Sequence, residues 1–246
     1  MGNSNSSLYL SARLDKLRNT QNADGGWAFY ARKTNSWVEP TVFAALALHG
    51  QPEAQRAWEL LRGWQLASGG WRPTGDVPGA NWTTALAVLL GVKVAGQADG
   101  QVAKGIEWLR NNAVDGAWAW RRGSLPAAEP TALGILALRS AGIAHSAKDA
   151  EGFLLTDKLT PETCGPALVG LQGSSQIRGL APLAVRWAEE TCSPLTRAWI
   201  QIGLRVNGID VAESLETPLS PNLAVVALEA LAAQDGNHGL LRTEAA

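Results

Sequence analysis

Two glutamates occupy the same position in a repeated pattern, and each immediately precedes a Pro-Thr pair. These residues are Glu39 and Glu129. Carboxyl groups at a shared position could serve as general acids, general bases or metal ligands. Alternatively, each could accept backbone hydrogen bonds and face the positive end of the helix that begins there. The equivalent turn between them contains Asp76, a third candidate acid, and has Asn81 in place of glutamate.

The turns that lead to these positions are basic and contain several of the eleven tryptophans of the chain. The basic candidates are Arg32, Arg72, Arg121 and Arg122. The tryptophans at the turns or helix starts are Trp37, Trp82 and Trp120. Guanidinium groups could hold an anionic ligand, and aromatic faces could line an apolar or cation-stabilising site. Solvated loop charges and packing between repeats are the alternatives for these residues.

The elements that position these residues recur along the chain. Trp27, Trp71 and Trp118 end similar segments and lie 44 and 47 residues apart. Each follows an amphipathic stretch and a glycine-containing turn, and each precedes a short run rich in Ala, Leu and Val. Glycine commonly ends a helix and proline commonly starts one. Each unit is therefore predicted to be a helix, a turn and a second helix.

The two helices of a unit differ in polarity. The segment from Ala54 to Trp64 places apolar residues at helical spacing among charged ones, which predicts an outer helix with one buried face. The runs from Val42 to Leu48 and from Ala132 to Leu138 are apolar nearly all round, which predicts inner helices enclosed by protein.

The same pattern continues in weaker form toward the C-terminus and gives six inner helices in total. The last outer segment is predicted around Val211 to Leu215. We predict an all-α fold, a single α/α toroid of about six helical hairpins. It forms one domain over residues 1–246, with a core from about residue 8 to residue 234. In such a ring the N-termini of the inner helices surround one mouth, which should attract anions.

The segments Gln21 to Trp27 and Gln65 to Trp71 resemble the QW repeat of squalene-hopene and oxidosqualene cyclases. They also resemble the wider prenyltransferase and squalene oxidase repeat family of terpene cyclases and protein prenyltransferases. The third copy ends at Trp118 and has Ala113 near the place of Gln. The resemblance covers roughly residues 10–140. It implies that Gln reaches a helix end and that Trp covers it, which is a structural role.

The family's catalytic signatures are missing from this sequence. No Asp-x-Asp-Asp motif, the proton donor of class II terpene cyclases, is present. Protein prenyltransferases hold zinc through an Asp-x-Cys pair and a later His. Glu162-Thr-Cys164 weakly resembles that pair, with Glu in place of Asp. The last two inner helices contain no His that could complete such a site. We therefore predict no metal and no other cofactor. Glu162 and Cys164 are the weak alternative as metal ligands.

The amino-acid composition limits the classes of partner that we expect. The 21 basic and 22 acidic residues nearly cancel, which argues against nucleic acid as a partner. No apolar run approaches the length of a membrane span, and two cysteines are too few for a disulfide framework. We therefore expect a soluble, cytoplasmic protein.

The sequence predicts a terpene cyclase-like or prenyltransferase-like protein that takes a hydrophobic isoprenoid into the central cavity, with any diphosphate at the basic turns. Glu39, Glu129 and Asp76 would supply proton chemistry. A non-catalytic toroid that binds a lipid or a protein partner is the first alternative. Another enzyme built on six helical hairpins, such as a glycoside hydrolase with two acids, is the second.

Overall fold

The computed structural model describes residues 2–143, 147–156, 159–211, 218–234 and 238–243. Helices are the only regular secondary structure in these ranges, apart from isolated β-bridges. The helices are α1 (Gly2–Arg18), α2 (Val38–Ala47), α3 (Pro52–Arg62), α4 (Thr83–Val94), α5 (Gly100–Asn111), α6 (Ala128–Ser140), α7 (Ala147–Thr156), α8 (Pro161–Gly170), α9 (Ile177–Glu190), α10 (Pro194–Val206), α11 (Leu223–Ala233) and α12 (His238–Leu241).

Six of these helices form a closed inner ring. Successive contacts run from α2 to α4, α6, α8, α10 and α11, and α11 packs back against α2. The inner helices are apolar on nearly every side, and every residue of α11 is buried. A helix of this kind must be surrounded by protein, and the ring provides that environment. The predicted all-α toroid with six inner helices is confirmed.

The outer helices fill the grooves between neighbouring inner ones. α3 contacts α2 and α4, α5 contacts α4 and α6, α7 contacts α6 and α8, and α9 contacts α8 and α10. Their single apolar face explains this position, since α3 buries Ala54, Ala57, Trp58 and Leu61 and leaves its charged residues outside. The outer segment predicted around residues 211–215 lies, apart from Val211, outside the described residues.

All six inner helices run in the same direction. Hydrogen bonds that join the C-terminal ends of neighbouring inner helices around the ring show this. A side chain at or just beyond one helix end reaches a carbonyl at the next in every case. The pairs are His49–Lys93 (3.2 Å), Gln97–Ser140 (3.3 Å), Arg139–Gly170 (2.9 Å), Asn207–Leu168 (2.9 Å), Arg205–Ala232 and Gln234–Ala47 (2.7 Å). The N-termini of the inner helices therefore surround the opposite mouth, which we call the N-terminal mouth.

A tryptophan clamp joins the outer and inner helix in each of the first three repeats. The indole N–H donates to a leucine carbonyl near the end of the outer helix, at 2.9 Å for Trp27, 2.7 Å for Trp71 and 2.9 Å for Trp118. The backbone N–H of the same tryptophan donates to a threonine hydroxyl in the first turn of the inner helix. Each clamp therefore satisfies polar groups that the helix ends leave free.

Glutamine extends two of these clamps to the next repeat. The Gln21 side-chain amide donates to the Gly25 carbonyl at 2.7 Å and to the Glu53 carbonyl at the start of α3 at 3.0 Å. Gln65 repeats both contacts with Gly69 and Gln101. These bonds fix the position of one hairpin relative to the next.

No helix in the described part of the chain is both long and apolar enough to cross a membrane.

Candidate functional site

The first turns of α2 and α6 direct two glutamates into the ring. Thr41 and Thr131 contact the tryptophan clamps, which lie between the inner and outer helices. Two residues along a helix correspond to a rotation of about 200°, so Glu39 and Glu129 lie on the opposite side of their helices. That side faces the axis of the toroid at the N-terminal mouth.

Neither glutamate caps its helix. Trp37 and Ala127 are the N-cap residues of α2 and α6, and no side chain caps either helix. Within the described ranges, neither carboxyl group takes part in a hydrogen bond or an ion pair. The alternative in which these carboxylates accept backbone hydrogen bonds is therefore not what the structure shows, and both carboxyl groups are left free to meet a ligand.

Both carboxyl groups hold their proton more tightly than an ordinary glutamate. Burial raises the pKa of Glu39 from 4.5 to about 7. Burial also raises the pKa of Glu129 to about 7, and the negative charge of Glu39 adds to the rise. α4 lies between α2 and α6 in the ring, so the two groups sense each other across the mouth. They form one electrostatically coupled pair.

Trp82 occupies the corresponding position of the helix between them. The Trp71 N–H donates to Thr84 at 2.9 Å, so Thr84 is the equivalent of Thr41 and Thr131. The second repeat is thus shifted by one residue from the register that the sequence pattern predicted. Trp82, which lies two residues before Thr84, occupies the glutamate position, and Asn81 does not. Adjacent threonines at 83 and 84 left this register ambiguous in the sequence.

Trp82 pairs with Trp120 from the next repeat. The two rings meet edge to face, with centroids 4.9 Å apart, and Trp120 is 42% exposed. Such an arrangement presents aromatic surface near the start of α4. Trp37 lies apart from this pair and packs instead on Phe29 at 5.6 Å.

A cavity of about 210 Å³ adjoins Trp82 at the edge of the mouth. Three asparagines, three tryptophans and two arginines are prominent in its lining. These residues are Asn81, Asn111, Asn112, Trp82, Trp108, Trp118, Arg121 and Arg122. The lining combines apolar faces with amide and guanidinium donors, which suits a flat polar group bearing negative charge. The three asparagines were not among the predicted ligand residues, and Asn81 entered the sequence pattern only in place of the repeated glutamate.

An aromatic contact lies one turn below Glu39 on the inner side of the ring. Phe43, one turn after Glu39 on the same face of α2, contacts Trp199 of α10 with ring centroids 5.5 Å apart. Both rings are buried. Because α11 separates α2 from α10 in the ring, this contact crosses the lumen side of α11. These two rings therefore narrow the lumen on the side of α11 below the mouth.

The remaining basic and acidic candidates lie farther out. Arg32 is exposed on the turn before α2. Arg72 donates to the Gly75 carbonyl at 2.9 Å, and its Nε has no partner in the described chain. Asp76 is exposed, and the hydrogen bond from Thr74, at 2.6 Å, helps to lower the pKa of Asp76. A carboxylate with a lowered pKa is ionised at neutral pH and is a poor proton donor.

Glu162 and Cys164, the weak alternative as metal ligands, lie in different environments. Glu162 is exposed at the start of α8, whereas Cys164 is buried and burial raises the pKa of its thiol to about 12. Among the described residues, no group of three or more His, Cys, Asp or Glu side chains could hold a metal ion.

No family model and no curated protein matches the sequence. Solved structures do resemble the fold. The type II terpene cyclase MstE from Scytonema, without ligand, gives a TM-score of 0.66 at 18% identity and covers 84% of this chain and 74% of its own. An MstE variant in complex with its substrate, geranylgeranyl dihydroxybenzoate, gives 0.63 at 16% identity over 95% and 80% of the two chains.

A protein from Actinoplanes gives a TM-score of 0.60 at 18% identity and covers 82% of this chain and 75% of its own. At such low identity these similarities establish a shared fold. The chain therefore has a terpene cyclase-like fold.

Proposed function

We propose that this protein binds an isoprenoid-bearing small molecule at the N-terminal mouth and that Glu39 and Glu129 transfer protons to and from it. The observation that carries the proposal is the pair of unpartnered, electrostatically coupled carboxyl groups at one end of the ring. Unpaired carboxyl groups with strongly raised pKa values are costly to stability, and such groups cluster at functional sites.

The surroundings of the pair suit a ligand with an apolar chain and a polar head. Trp82 and Trp120 offer aromatic surface at the start of α4, the inner helix between the two that carry the carboxyl groups. Arg121 and Arg122 line the adjoining cavity and offer donors to a carboxylate or diphosphate. Arg32 and Arg72, on neighbouring turns, would add to the positive field. The substrate of the terpene cyclase neighbour, a geranylgeranyl chain on a dihydroxybenzoate, has this composition and supports the assignment.

The chemistry that fits these groups is general acid–base catalysis near neutral pH. A carboxyl group with a pKa of about 7 is present in both forms under physiological conditions, so one member of the pair can donate while the other accepts. The protonated glutamate would give its proton to an electron-rich carbon of the ligand. The ionised glutamate would then remove a proton from a neighbouring atom, so the product is an isomer of the substrate.

This proposal differs from the proton transfer of class II terpene cyclases. Protonation of an isolated alkene needs a strongly acidic carboxyl group, and a raised pKa makes Glu39 and Glu129 weaker acids. The missing Asp-x-Asp-Asp motif agrees with that distinction. The ligand would therefore be protonated at an activated carbon, such as that of an enol or of a phenol-bearing ring.

The test combines binding with proton incorporation from solvent. Quenching of tryptophan fluorescence would measure binding of geranylgeranyl dihydroxybenzoate and of farnesyl and geranylgeranyl diphosphates. Mass spectrometry of products formed in D₂O would detect the transferred deuteron. We expect Glu39→Gln and Glu129→Gln to keep binding and to slow deuterium incorporation by about a hundredfold or more. Arg121→Ala combined with Arg122→Ala should weaken binding of the anionic ligands.

Glu162→Gln is the matched control, because Glu162 also lies in the first turn of an inner helix but is exposed. It should bind and react like the wild type. Absence of saturable binding by every ligand would sink the proposal.

A non-catalytic binding protein is the second candidate, and the aromatic contact below the mouth favours it. The Phe43–Trp199 contact limits the depth to which a long isoprenoid chain can enter. Tight binding without deuterium incorporation, unaffected by Glu39→Gln, would establish this second function.

A further inference from the structure

A second, larger cavity opens at the other end of the ring. It has a volume of about 1070 Å³ and lies beside the C-terminal ends of α8 and α10, the start of α9 and residues 242–243. This volume is at the upper end of the range for small-molecule sites. Because the cavity lies at the C-terminal ends of the inner helices, it is separate from the carboxyl pair and independent of the proposed function.

The charge of this cavity is positive. Arg178 and Arg242 line it, and neither guanidinium forms an ion pair within the described chain. None of the described residues that line the cavity is acidic. Ser174, Ser175 and Thr243 add hydroxyl groups to the same wall. Two unneutralised guanidiniums beside several hydroxyls are the donor set that binds phosphate groups in proteins.

The ends of the inner helices would normally repel an anion, because their free carbonyls carry partial negative charge. Side-chain donors cover those carbonyls here. Asn207 donates to the Leu168 and Gly203 carbonyls at 2.9 and 2.8 Å, and Arg139 donates to the Gly170 carbonyl at 2.9 Å. The repulsion is therefore offset before any ligand enters.

The wall of the cavity is also held in place. The buried Gln172 donates to the Val169 and Leu241 carbonyls at 2.9 and 2.8 Å and accepts from the Thr243 N–H at 3.0 Å. These bonds tie the end of α8 to the C-terminal segment that carries Arg242. Arg242 in turn donates through Nε to the Val206 carbonyl at 3.3 Å, which leaves its two terminal nitrogens for a ligand.

We propose that this cavity binds a phosphate group, with Arg178 and Arg242 as its principal ligands. The phosphate could belong to a soluble organic phosphate or to the headgroup of an anionic lipid, and the chemistry of recognition is the same for both. A phosphate dianion would neutralise the two guanidiniums, and the hydroxyl groups would fill its remaining acceptor sites.

Calorimetric titration with inorganic pyrophosphate tests the free-phosphate source, and sedimentation with phosphatidate vesicles, against pure phosphatidylcholine vesicles, tests the lipid source. Arg178→Ala and Arg242→Ala should each weaken the binding that is observed by about tenfold. Arg186→Ala is the matched control, since Arg186 lies exposed on the same helix as Arg178 but does not line the cavity. Its affinity should equal that of the wild type.

Binding to either probe with this pattern of variants supports the site and identifies the source of the phosphate. Absence of binding to both probes would overturn the proposal, as would equal binding by the wild type and both cavity variants. Thermal melting of each variant checks that the fold is retained. The result is independent of the isoprenoid experiments, because neither arginine lies near the N-terminal mouth.

Discussion

Two opposing effects act on each glutamate in the first turns of α2 and α6. The positive end of a helix favours the ionised carboxylate by about 0.3–1 kcal/mol. Burial favours the protonated form, and the rise of the Glu39 pKa from 4.5 to about 7 corresponds to roughly 3 kcal/mol. Burial is therefore the larger effect, and these two carboxyl groups differ from the usual acidic residue at a helix start.

This difference predicts how stability depends on pH. In the folded protein Glu39 and Glu129 titrate near pH 7, whereas in the unfolded chain they titrate near their ordinary value of 4.5. Between these values the folded state binds more protons, so the free energy of unfolding decreases as the pH rises from about 5 to about 8. Glu39→Gln and Glu129→Gln should each reduce that decrease by about 1–3 kcal/mol. Urea denaturation at pH 5 and pH 8 measures it.

The exposed Glu162 again provides the comparison, and Glu162→Gln should leave the slope unchanged. A decrease in stability that is the same in the wild type and both mouth variants would contradict the raised pKa values. Glu39→Gln should in addition lower the pKa of Glu129, because it removes the neighbouring negative charge. Carbon-13 NMR of the Glu129 carboxyl group would detect that shift.

The hairpin repeat is the next scale, and its turns require particular backbone conformations. Gly69 has a φ of +91°, and a Cβ atom there would lie 2.5 Å from the Lys104 carbonyl of α5. Gly25 repeats this arrangement against the Arg56 carbonyl of α3. In both turns the glycine allows the loop to approach the next outer helix, and that approach brings the neighbouring glutamine within reach of the helix start.

Gly69→Ala should be destabilising for two reasons, the positive φ and the collision with the Lys104 carbonyl. Gly79 in the same loop has a φ of +103°, but a Cβ atom added there would meet no other atom within 4 Å, so Gly79→Ala tests the backbone strain alone. We expect a cost of about 1 kcal/mol for Gly79→Ala and about 2–4 kcal/mol for Gly69→Ala. Chemical denaturation would measure both. Equal costs would show that the contact with α5 is unimportant.

The sequence is sufficient to predict a contact where both partners lie close together along the chain. Each tryptophan clamp joins residues within one hairpin, so spacing along the chain was enough to place Trp27, Trp71 and Trp118 between an outer and an inner helix. The register at Trp82 was not available in this way, because Thr83 and Thr84 fit the pattern equally and only the bond to Trp71 distinguishes them. The phosphate cavity combines residues 172 to 243, and no motif links them.

At the scale of the whole molecule, what matters is how the ring closes. The electrostatic coupling of Glu39 with Glu129 depends on the curvature of three successive hairpins. The contact between Phe43 and Trp199 depends on the return of the last inner helices to the first. Neither property is encoded in any single repeat. The sequence therefore predicted the toroid and the candidate carboxylates, but it could not show that the two carboxyl groups interact.

A buried ion pair holds the closing seam. Arg13 of α1 and Glu229 of α11 meet at 2.9 Å, and both side chains are almost fully buried. Arg13 also lies over the Tyr9 ring at 3.2 Å. α1 packs against α11, so the first helix of the chain covers the last inner helix of the ring. Burial raises the pKa of Glu229, and the charge of Arg13 opposes that rise.

Removing one partner of this pair should therefore cost more than removing both. Arg13→Met leaves a buried carboxylate without its cation and should lower the free energy of unfolding at pH 8 by about 3–5 kcal/mol. The cost should shrink at pH 5, because the unpaired Glu229 can then take up a proton. Arg13→Met combined with Glu229→Leu should recover much of the loss, since an apolar pair suits a dry site. Arg186→Met breaks only the exposed pair of Arg186 with Glu190 and should cost less than about 1 kcal/mol.

Hydrogen exchange would show whether the lost stability lies at the seam between α1 and α11. Amides of α1 and α11 should exchange faster in Arg13→Met, while those of α4 and α6 keep their protection. Uniform loss of protection would instead mean that the ring opens as one cooperative unit, and equal stability of the single and double variants would refute the role of the ion pair.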